Sequence, residues 1–190
     1  MRAILFLASF FVSVQAFAYQ QKLYVGDRAY NIERSAYVTV VAIQQDGRFV
    51  LRYDSGPLTG QTGGNWTRAD LAVLSGCAGQ VCTGYGAYNL EREAYVRVVG
   101  IQYDGRFVLY YRTGSLAGQS GHNWTRSDLA LTRGCYLDLC VGERAYNVPR
   151  QAWVTVAAIQ LTGHYVLRFD TGPLAGKSGK NWPRSDLAVR

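Results

Sequence analysis

Histidine, methionine and proline are scarce in this sequence of 190 residues, which has two His, one Met and four Pro. Two histidines leave little material for acid–base catalysis, because His is the side chain most often used as a general base. Charged residues make up 17% of the chain and hydrophobic residues 48%, which excludes a disordered or low-complexity protein. The sequence is rich instead in Gly (21), Tyr (14) and Trp (4), and this composition is typical of a turn-rich all-β protein.

The first 18 residues follow the order expected of a secretory signal peptide. Met1-Arg2 gives a positive start, an uncharged apolar run extends from Ala3 to Val14, and Ala16-Phe17-Ala18 is a small-x-small cleavage pattern. The apolar run is too short for a membrane anchor, since a spanning helix needs about 20 residues. We predict cleavage after Ala18 and export to the periplasm or the outside, with no transmembrane segment in the mature chain.

The rest of the sequence repeats itself with a period of 58 residues. Three matched sets show the period: Tyr30, Tyr88 and Tyr146; Gly47, Gly105 and Gly163; Trp66, Trp124 and Trp182. Such a repeat indicates that one structural unit has been duplicated. We therefore divide the chain into a signal peptide (1–18), a first β-repeat (19–76), and two further β-repeats (77–134 and 135–190) that each begin with a two-cysteine joint.

Each repeat contains short segments with the alternation of β-strands. In the second and longest of these, 36–44, Val38 and Val40 are Val in every copy and are predicted to point inward, whereas position 39 varies and points outward. The small residue at 42 suits a bulge. Asp46-Gly47 is a two-residue hairpin signal, and in the next strand Phe49, Leu51 and Tyr53 are predicted to point inward.

These features resemble the small SH3-like barrels, more loosely their Tudor and agenet branch. The resemblance lies in a first strand after Val25-Gly26-Asp27, the Val-Thr-Val-Val-Ala-Ile strand at 38–43, the Asp-Gly hairpin, the aromatic third strand, and Trp66 followed closely by Asp70-Leu71. It implies an all-β chain of three tandem SH3-like antiparallel barrels. A single closed threefold β-structure is the alternative. The family's aromatic cage for methylated side chains is not carried over, since an exported protein would rarely meet such ligands.

The four cysteines lie in the joints, as Cys77 and Cys82 and as Cys135 and Cys140. An even number of cysteines in an exported chain favours disulfides. Local pairing, Cys77–Cys82 and Cys135–Cys140, fits the repeat and would stabilise each joint by about 2 kcal/mol. A zinc site built from all four thiolates is the competing interpretation, and we predict no metal.

The repeats carry no recurring catalytic set. The polar residues identical in all three copies are Asn31, Arg34, Gln44, Asn65, Arg68, Asp70 and their counterparts, and none of them is His, Cys, Ser or Glu. His122 and His164 fall at different positions of the repeat. We expect a structural pair or turn bond for Arg68 and Asp70, and turn bonds for Asn31 and Asn65. The sequence therefore predicts a protein that is not an enzyme and has no cofactor.

Repeated aromatic residues beside amides are the strongest functional signal. Exposed rings stack on apolar faces of sugars or peptides while amides bond hydroxyls and carbonyls. The predicted binding residues are Tyr37, Tyr95 and Trp153, the Asn-Trp pairs Asn65-Trp66, Asn123-Trp124 and Asn181-Trp182, and the cations Lys177 and Lys180. Trp66 and its counterparts have an alternative role as core plugs.

We expect multivalent binding of cell-wall glycan or peptide, or of an envelope protein. Residues 141–190 carry seven basic and three acidic side chains, which adds a possible polyanion partner at the third repeat. The alternative is a structural or assembly protein that acts through protein–protein contacts.

Overall fold

The structure, a computed structural model, describes residues 21–189. The predicted signal peptide, residues 1–18, lies outside this range. The described chain is all-β, and every pair of neighbouring strands is antiparallel. Its helical segments are three short 3₁₀ turns, and none of the helical residues described could form a membrane-spanning helix.

The three units share five strands in the same order, and in the second and third units a two-strand hairpin precedes them. The first contains β1 (Arg28–Asn31), β2 (Ala36–Ile43), β3 (Phe49–Tyr53), β4 (Thr62–Trp66), a 3₁₀ turn (Arg68–Asp70) and β5 (Leu71–Val73). The second contains β6 (Cys77–Ala78), β7 (Val81–Cys82), β8 (Gly86–Asn89), β9 (Ala94–Gln102), β10 (Phe107–Tyr111), β11 (Ser120–Trp124), a turn (Arg126–Asp128) and β12 (Leu129–Leu131). The third contains β13 (Cys135–Tyr136), β14 (Leu139–Cys140), β15 (Arg144–Asn147), β16 (Ala152–Gln160), β17 (Tyr165–Phe169), β18 (Ser178–Trp182), a turn (Arg184–Asp186) and β19 (Leu187–Ala188).

Within a unit the strands pair in the order β5-β1-β2-β3-β4. The predicted alternation is confirmed, because Val38, Val40 and Leu51 are fully buried while the Thr39 hydroxyl donates a hydrogen bond to Asp54 at 2.8 Å. The predicted bulge is confirmed as well, by a register shift between Val40 and Ala42 that recurs in the other two units.

The hairpin between β2 and β3 differs from the prediction by one residue. The backbone amide of Gln44 donates to the backbone carbonyl of Arg48 at 2.7 Å. The backbone amide of Gly47 donates to the backbone carbonyl of Gln44 at 3.0 Å. Three residues, 45–47, therefore form the loop, and the two-residue prediction is wrong. Gly47 has φ +82°, so it supplies the left-handed residue that ends a three-residue loop.

The units share one sheet. Strand β5 of the first unit pairs with β9 of the second through Val73 and Ile101, and β12 pairs in the same way with β16. We call these contacts the first and second seams. The resulting sheet of 15 strands is branched and open, so the described residues do not form the alternative closed threefold structure. The two-cysteine joints are thus not the only connection between units.

The core follows this arrangement. One cluster of buried side chains extends through the first and second units, and a second cluster fills the third unit. Smaller clusters fill the seams: Tyr30, Ala72 and Val108 in the first, and Tyr88, Ala130, Ala157, Ala158 and Val166 in the second. Gly100 lies in the first seam, where the strands approach so closely that a Cβ would lie 2.9 Å from the Val73 carbonyl oxygen.

The cysteines form the predicted local disulfides, Cys77–Cys82 and Cys135–Cys140. Each bond closes a small hairpin, β6–β7 or β13–β14. One apolar residue of each hairpin, Val81 or Leu139, is buried in the core of its unit. The hairpins therefore belong to the packed body of the second and third units.

Candidate functional site

Each unit pairs two aromatic rings across β1 and β2 or the equivalent strands, β8 and β9 or β15 and β16. The centroids of Tyr30 and Tyr37 are 5.4 Å apart with the rings edge to face, and the same geometry joins Tyr88 to Tyr95 at 5.2 Å and Tyr146 to Trp153 at 5.5 Å. Directly opposed strand positions bring these side chains together on the outer face of the sheet.

The outer ring of each pair is the accessible one. Tyr37 is 37% exposed and Tyr95 38% exposed, as predicted for outward positions of the long strand, and Trp153 is half-buried. The inner rings Tyr30 and Tyr88 are buried because the following unit covers them. Packing therefore fixes the angle at which Tyr37 and Tyr95 are presented.

A cavity of about 650 Å³ opens beside Tyr37 at the first seam, and we call it the seam cleft. Tyr37 faces into it from the first unit, and Tyr110, which is 41% exposed, lines it from the second. Its polar lining comprises Ser35, Arg97, Gln119 and Ser120. The cleft thus combines two accessible rings with a guanidinium, an amide and hydroxyls.

Sequence reasoning missed Arg97 and Tyr110. Their counterparts are Thr in one case and Arg in the other, so the second unit departs from the repeat at both positions. These two departures from the repeat were the signal in the sequence that could have identified Arg97 and Tyr110. The cleft itself could not be inferred, because it exists only where the first two units pack against each other.

Trp66, Trp124 and Trp182 occupy a different place from Tyr37. Each is half-buried against the core of its unit, and its indole nitrogen is buried. The guanidinium of Arg34 lies 5.8 Å from the Trp66 ring centroid, and the same distance separates Arg92 from Trp124 and Arg150 from Trp182. This geometry favours the core-plug role, with an arginine covering part of each ring.

A second cavity lies beside this arginine, and we call it the Arg–Trp groove. In the first unit it measures about 350 Å³ and is lined by Arg34, Tyr53, Pro57 and Leu58 among others. In the third unit the equivalent groove, beside Arg150, measures about 280 Å³. Burial raises the pKa of the Tyr53 hydroxyl, against a smaller lowering effect of Arg34, so this hydroxyl stays a hydrogen-bond donor.

The predicted turn bond is found for Asn31, whereas Asn65 and its counterparts lie within the fourth strand of the repeat and have a left-handed backbone conformation there. The Asn31 side-chain oxygen accepts a hydrogen bond from the Arg34 amide at 2.8 Å and so orients the turn that carries this arginine. Asn65, Asn123 and Asn181 are exposed and adopt left-handed φ values of +66° to +67°. Gln102 also binds Asn123, because its side-chain oxygen accepts a hydrogen bond from the backbone amide of Asn123 at 2.8 Å.

Arg68 and Asp70 each form side-chain hydrogen bonds at the turn before β5. Their partners in these bonds are other residues. The Thr67 hydroxyl donates to Asp70 at 2.7 Å. The Arg68 guanidinium donates to the Leu71 carbonyl at 2.6 Å and to the Gln21 carbonyl at 3.1 Å. Both side chains thus stabilise the turn before β5.

The cations predicted at the third unit have different surroundings. The Lys180 ammonium crosses the second seam, where it donates to the Leu90 carbonyl at 2.8 Å and lies 3.7 Å from Glu93. Arg184, another basic residue of this unit, is bonded to Asp138. Lys177 is exposed. Two of these cations therefore already have anionic partners within the chain, which weakens the case for a polyanion site.

The ion pair at the second joint leads to a testable titration. Hydrogen bonds from Arg184, at 2.6 and 2.7 Å, and then from backbone lower the Asp138 pKa from 3.8 to about 2. We expect Arg184→Gln to return this pKa toward 3.8, measured by NMR of the side-chain carboxyl. Because the folded-state pKa is lowered, the pair stabilises the fold above the unfolded-state pKa and is lost as pH falls toward 2.

Arg126→Gln is the matched control, because Arg126 is the same residue of the preceding unit and lies against that unit's own hairpin at Gly79. It should leave the Asp138 pKa unchanged. An Asp138 pKa near 3.8 in the unmodified chain would contradict the observed pair.

Comparisons with known proteins do not place the chain in a family. No protein-family model matches the sequence, and no curated protein matches it significantly. The functional argument therefore depends on the geometry of the rings, the cleft and the groove.

Proposed function

We propose that this chain is an exported, non-enzymatic protein that binds glycan of the cell envelope through multivalent contacts. The observation that carries the proposal is the ring pair repeated in every unit, with Tyr37 and Tyr95 accessible and held at a fixed angle by a buried tyrosine. A ring that is already ordered pays little conformational entropy when a sugar stacks on it.

The seam cleft supplies the polar groups that such a ligand needs. Sugar rings offer apolar faces to Tyr37 and Tyr110, while Arg97 and Gln119 can bond hydroxyl or carboxylate oxygens. Stacking on a single tyrosine is weak, so a useful affinity requires several contacts along one polymer. Three units on one shared sheet would provide that avidity.

Two further features support this proposal. The two disulfides favour an oxidising compartment, in agreement with the predicted signal peptide. The strand order β5-β1-β2-β3-β4 within a unit supports the SH3-like interpretation, which remains a proposal. A fold of this kind leaves function to the sites built on it.

Binding of a peptide or envelope protein is the second candidate function. It is favoured by the Arg–Trp groove, whose lining of Tyr53, Pro57 and Leu58 is more apolar than that of the seam cleft. Apolar and aromatic grooves are the usual docking sites for extended segments. The occurrence of this groove in the first and third units would again allow multivalent contact.

Titration of the chain with soluble cell-wall glycan fragments tests the proposal. Tyr37→Ala should weaken binding roughly fivefold, because loss of one aromatic contact costs about 1 kcal/mol. Calorimetry or NMR shifts would measure the change. Tyr103→Ala is the matched control, since Tyr103 is an exposed tyrosine of the second unit that does not line the seam cleft.

Arg34→Gln separates the two candidate functions. Weakening by Arg34→Gln, with Tyr37→Ala unchanged, would move the site to the Arg–Trp groove and favour the second candidate. No measurable binding of the unmodified chain to any glycan fragment would overturn the glycan proposal.

A further inference from the structure

The two seams within the chain are built from the same pair of complementary faces. The donor face belongs to the earlier unit and consists of the end of its last strand with the neighbouring Tyr, as with Ala72 and Tyr30. The acceptor face belongs to the later unit. It consists of the part of the long strand that follows the bulge, as with Ile101, and of a valine in the next strand, as with Val108. Both seams use the same positions of the repeat.

An unused copy of each face remains at the two ends of this stack. The first unit has an acceptor face, formed by Val41, Ala42, Ile43 and Val50. No described strand pairs with this face in the way that β5 pairs with β9. The third unit has a donor face, formed by Tyr146, Val148, Ala188 and Val189, that likewise has no partner strand among the described residues.

Equivalent side chains are buried in the seams and exposed on the terminal faces. Ile101 is fully buried and Ile159 is 6% exposed within the seams, whereas Ile43 is 43% exposed. On the donor side Val73 is 3% exposed and Val189 is 42% exposed. The terminal faces are thus open versions of surfaces that the chain covers elsewhere.

The terminal faces also keep the residues of the covered ones. Ala42 and Ile43 are the same residues as Ala158 and Ile159 on the acceptor side of the second seam. Ala188 is the same residue as Ala130 on the donor side of that seam. Repeat proteins usually end in polar caps, and sheet edges usually carry charges that prevent pairing. Neither device is present at Val41–Ile43 or at Ala188-Val189.

We propose that the open acceptor face of one chain binds the open donor face of a second copy, in the register of the internal seams. Strand β19 would then extend the sheet by pairing with β2, with Ala188 opposite Gln44 and Val189 opposite Ile43, as Ala130 and Leu131 lie opposite Gln160 and Ile159. Such a contact joins unlike faces, so it propagates head to tail and does not close as a twofold dimer. Association is weak, because each internal seam pairs only two residues per strand. The inference does not depend on glycan or peptide binding.

Cross-linking between two single-cysteine variants tests this arrangement. In the first seam a Cβ at position 100 would lie 3.0 Å from the Ala72 Cβ, so the equivalent positions 42 and 188 should be in contact across two chains. Ala42→Cys chains mixed with Ala188→Cys chains are expected to give a covalent dimer with a short bis-maleimide. The native cysteines are in disulfides, so the introduced thiols are the ones that react.

Ala117→Cys is the matched control, because Ala117 is an exposed alanine in the loop of the second unit, away from both faces. The mixture of Ala42→Cys with Ala117→Cys should give only background product. A chain with both Ala42→Cys and Ala188→Cys should give a ladder of oligomers, and adding Ile43→Asp should reduce the ladder to background. Equal product in the 42/188 and 42/117 mixtures would overturn the proposal. Tyr37→Ala should leave the ladder unchanged, so a failure of glycan binding is distinguishable.

Discussion

Replacing Gly100 with valine is expected to destabilise the protein by about 3 kcal/mol, the upper part of the range for overpacking a close contact. A Cβ at this position would lie 2.9 Å from the Val73 carbonyl oxygen and 3.0 Å from the Ala72 Cβ. Both atoms belong to strand β5, which is buried and paired on both sides, so it cannot move aside without breaking a sheet contact. Urea denaturation followed by tryptophan fluorescence would measure the loss.

Ala42→Val is the matched control for Gly100→Val. Residue 42 occupies the same position in the first unit, where Ala42 is exposed. A valine there should change the free energy of unfolding by less than about 0.5 kcal/mol at low protein concentration, as is usual for surface changes. If Gly100→Val were equally mild, the first seam would have to open easily, and the shared sheet would not be a stable feature of the molecule.

The fold class and the interior of each unit could be predicted because they depend on local patterns. Comparison of the three copies separated the buried Val38 and Val40 from the outward Thr39, and the cysteine spacing within each joint indicated local disulfides. The seams could not be predicted in this way. The small residue at 42, 100 and 158 predicts a bulge, which is correct. In the second and third units this residue also lets another strand approach.

The candidate site was only partly predictable for the same reason. The exposure of Tyr37 follows from alternation along one strand, whereas its neighbours Tyr110 and Arg97 come from another unit. For Trp66 the pattern could not distinguish a plug from a platform, because a ring beside a glycine-rich loop suits both roles. Its surroundings, with Arg34 over the ring and the core beneath, become evident only in three dimensions.

Shortening a core leucine to alanine should reveal how the three units are coupled. Leu109→Ala and Leu167→Ala remove the same buried side chain from the second and third units, and each should destabilise its unit by about 3 to 4 kcal/mol. Leu109 belongs to the core that extends through the first and second units, whereas Leu167 belongs to the separate core of the third. Repeat stacks unfold according to such nearest-neighbour couplings.

Calorimetry should therefore give a different result for each variant. Leu109→Ala should lower the transition of the first two units together, since they share one core. Leu167→Ala should separate an earlier transition of the third unit and leave the remainder near its original temperature. Leu137→Ala, at a leucine that is 69% exposed, is the control and should change neither. A single transition lowered equally by Leu109→Ala and Leu167→Ala would mean that the second seam transmits stability as strongly as a continuous core.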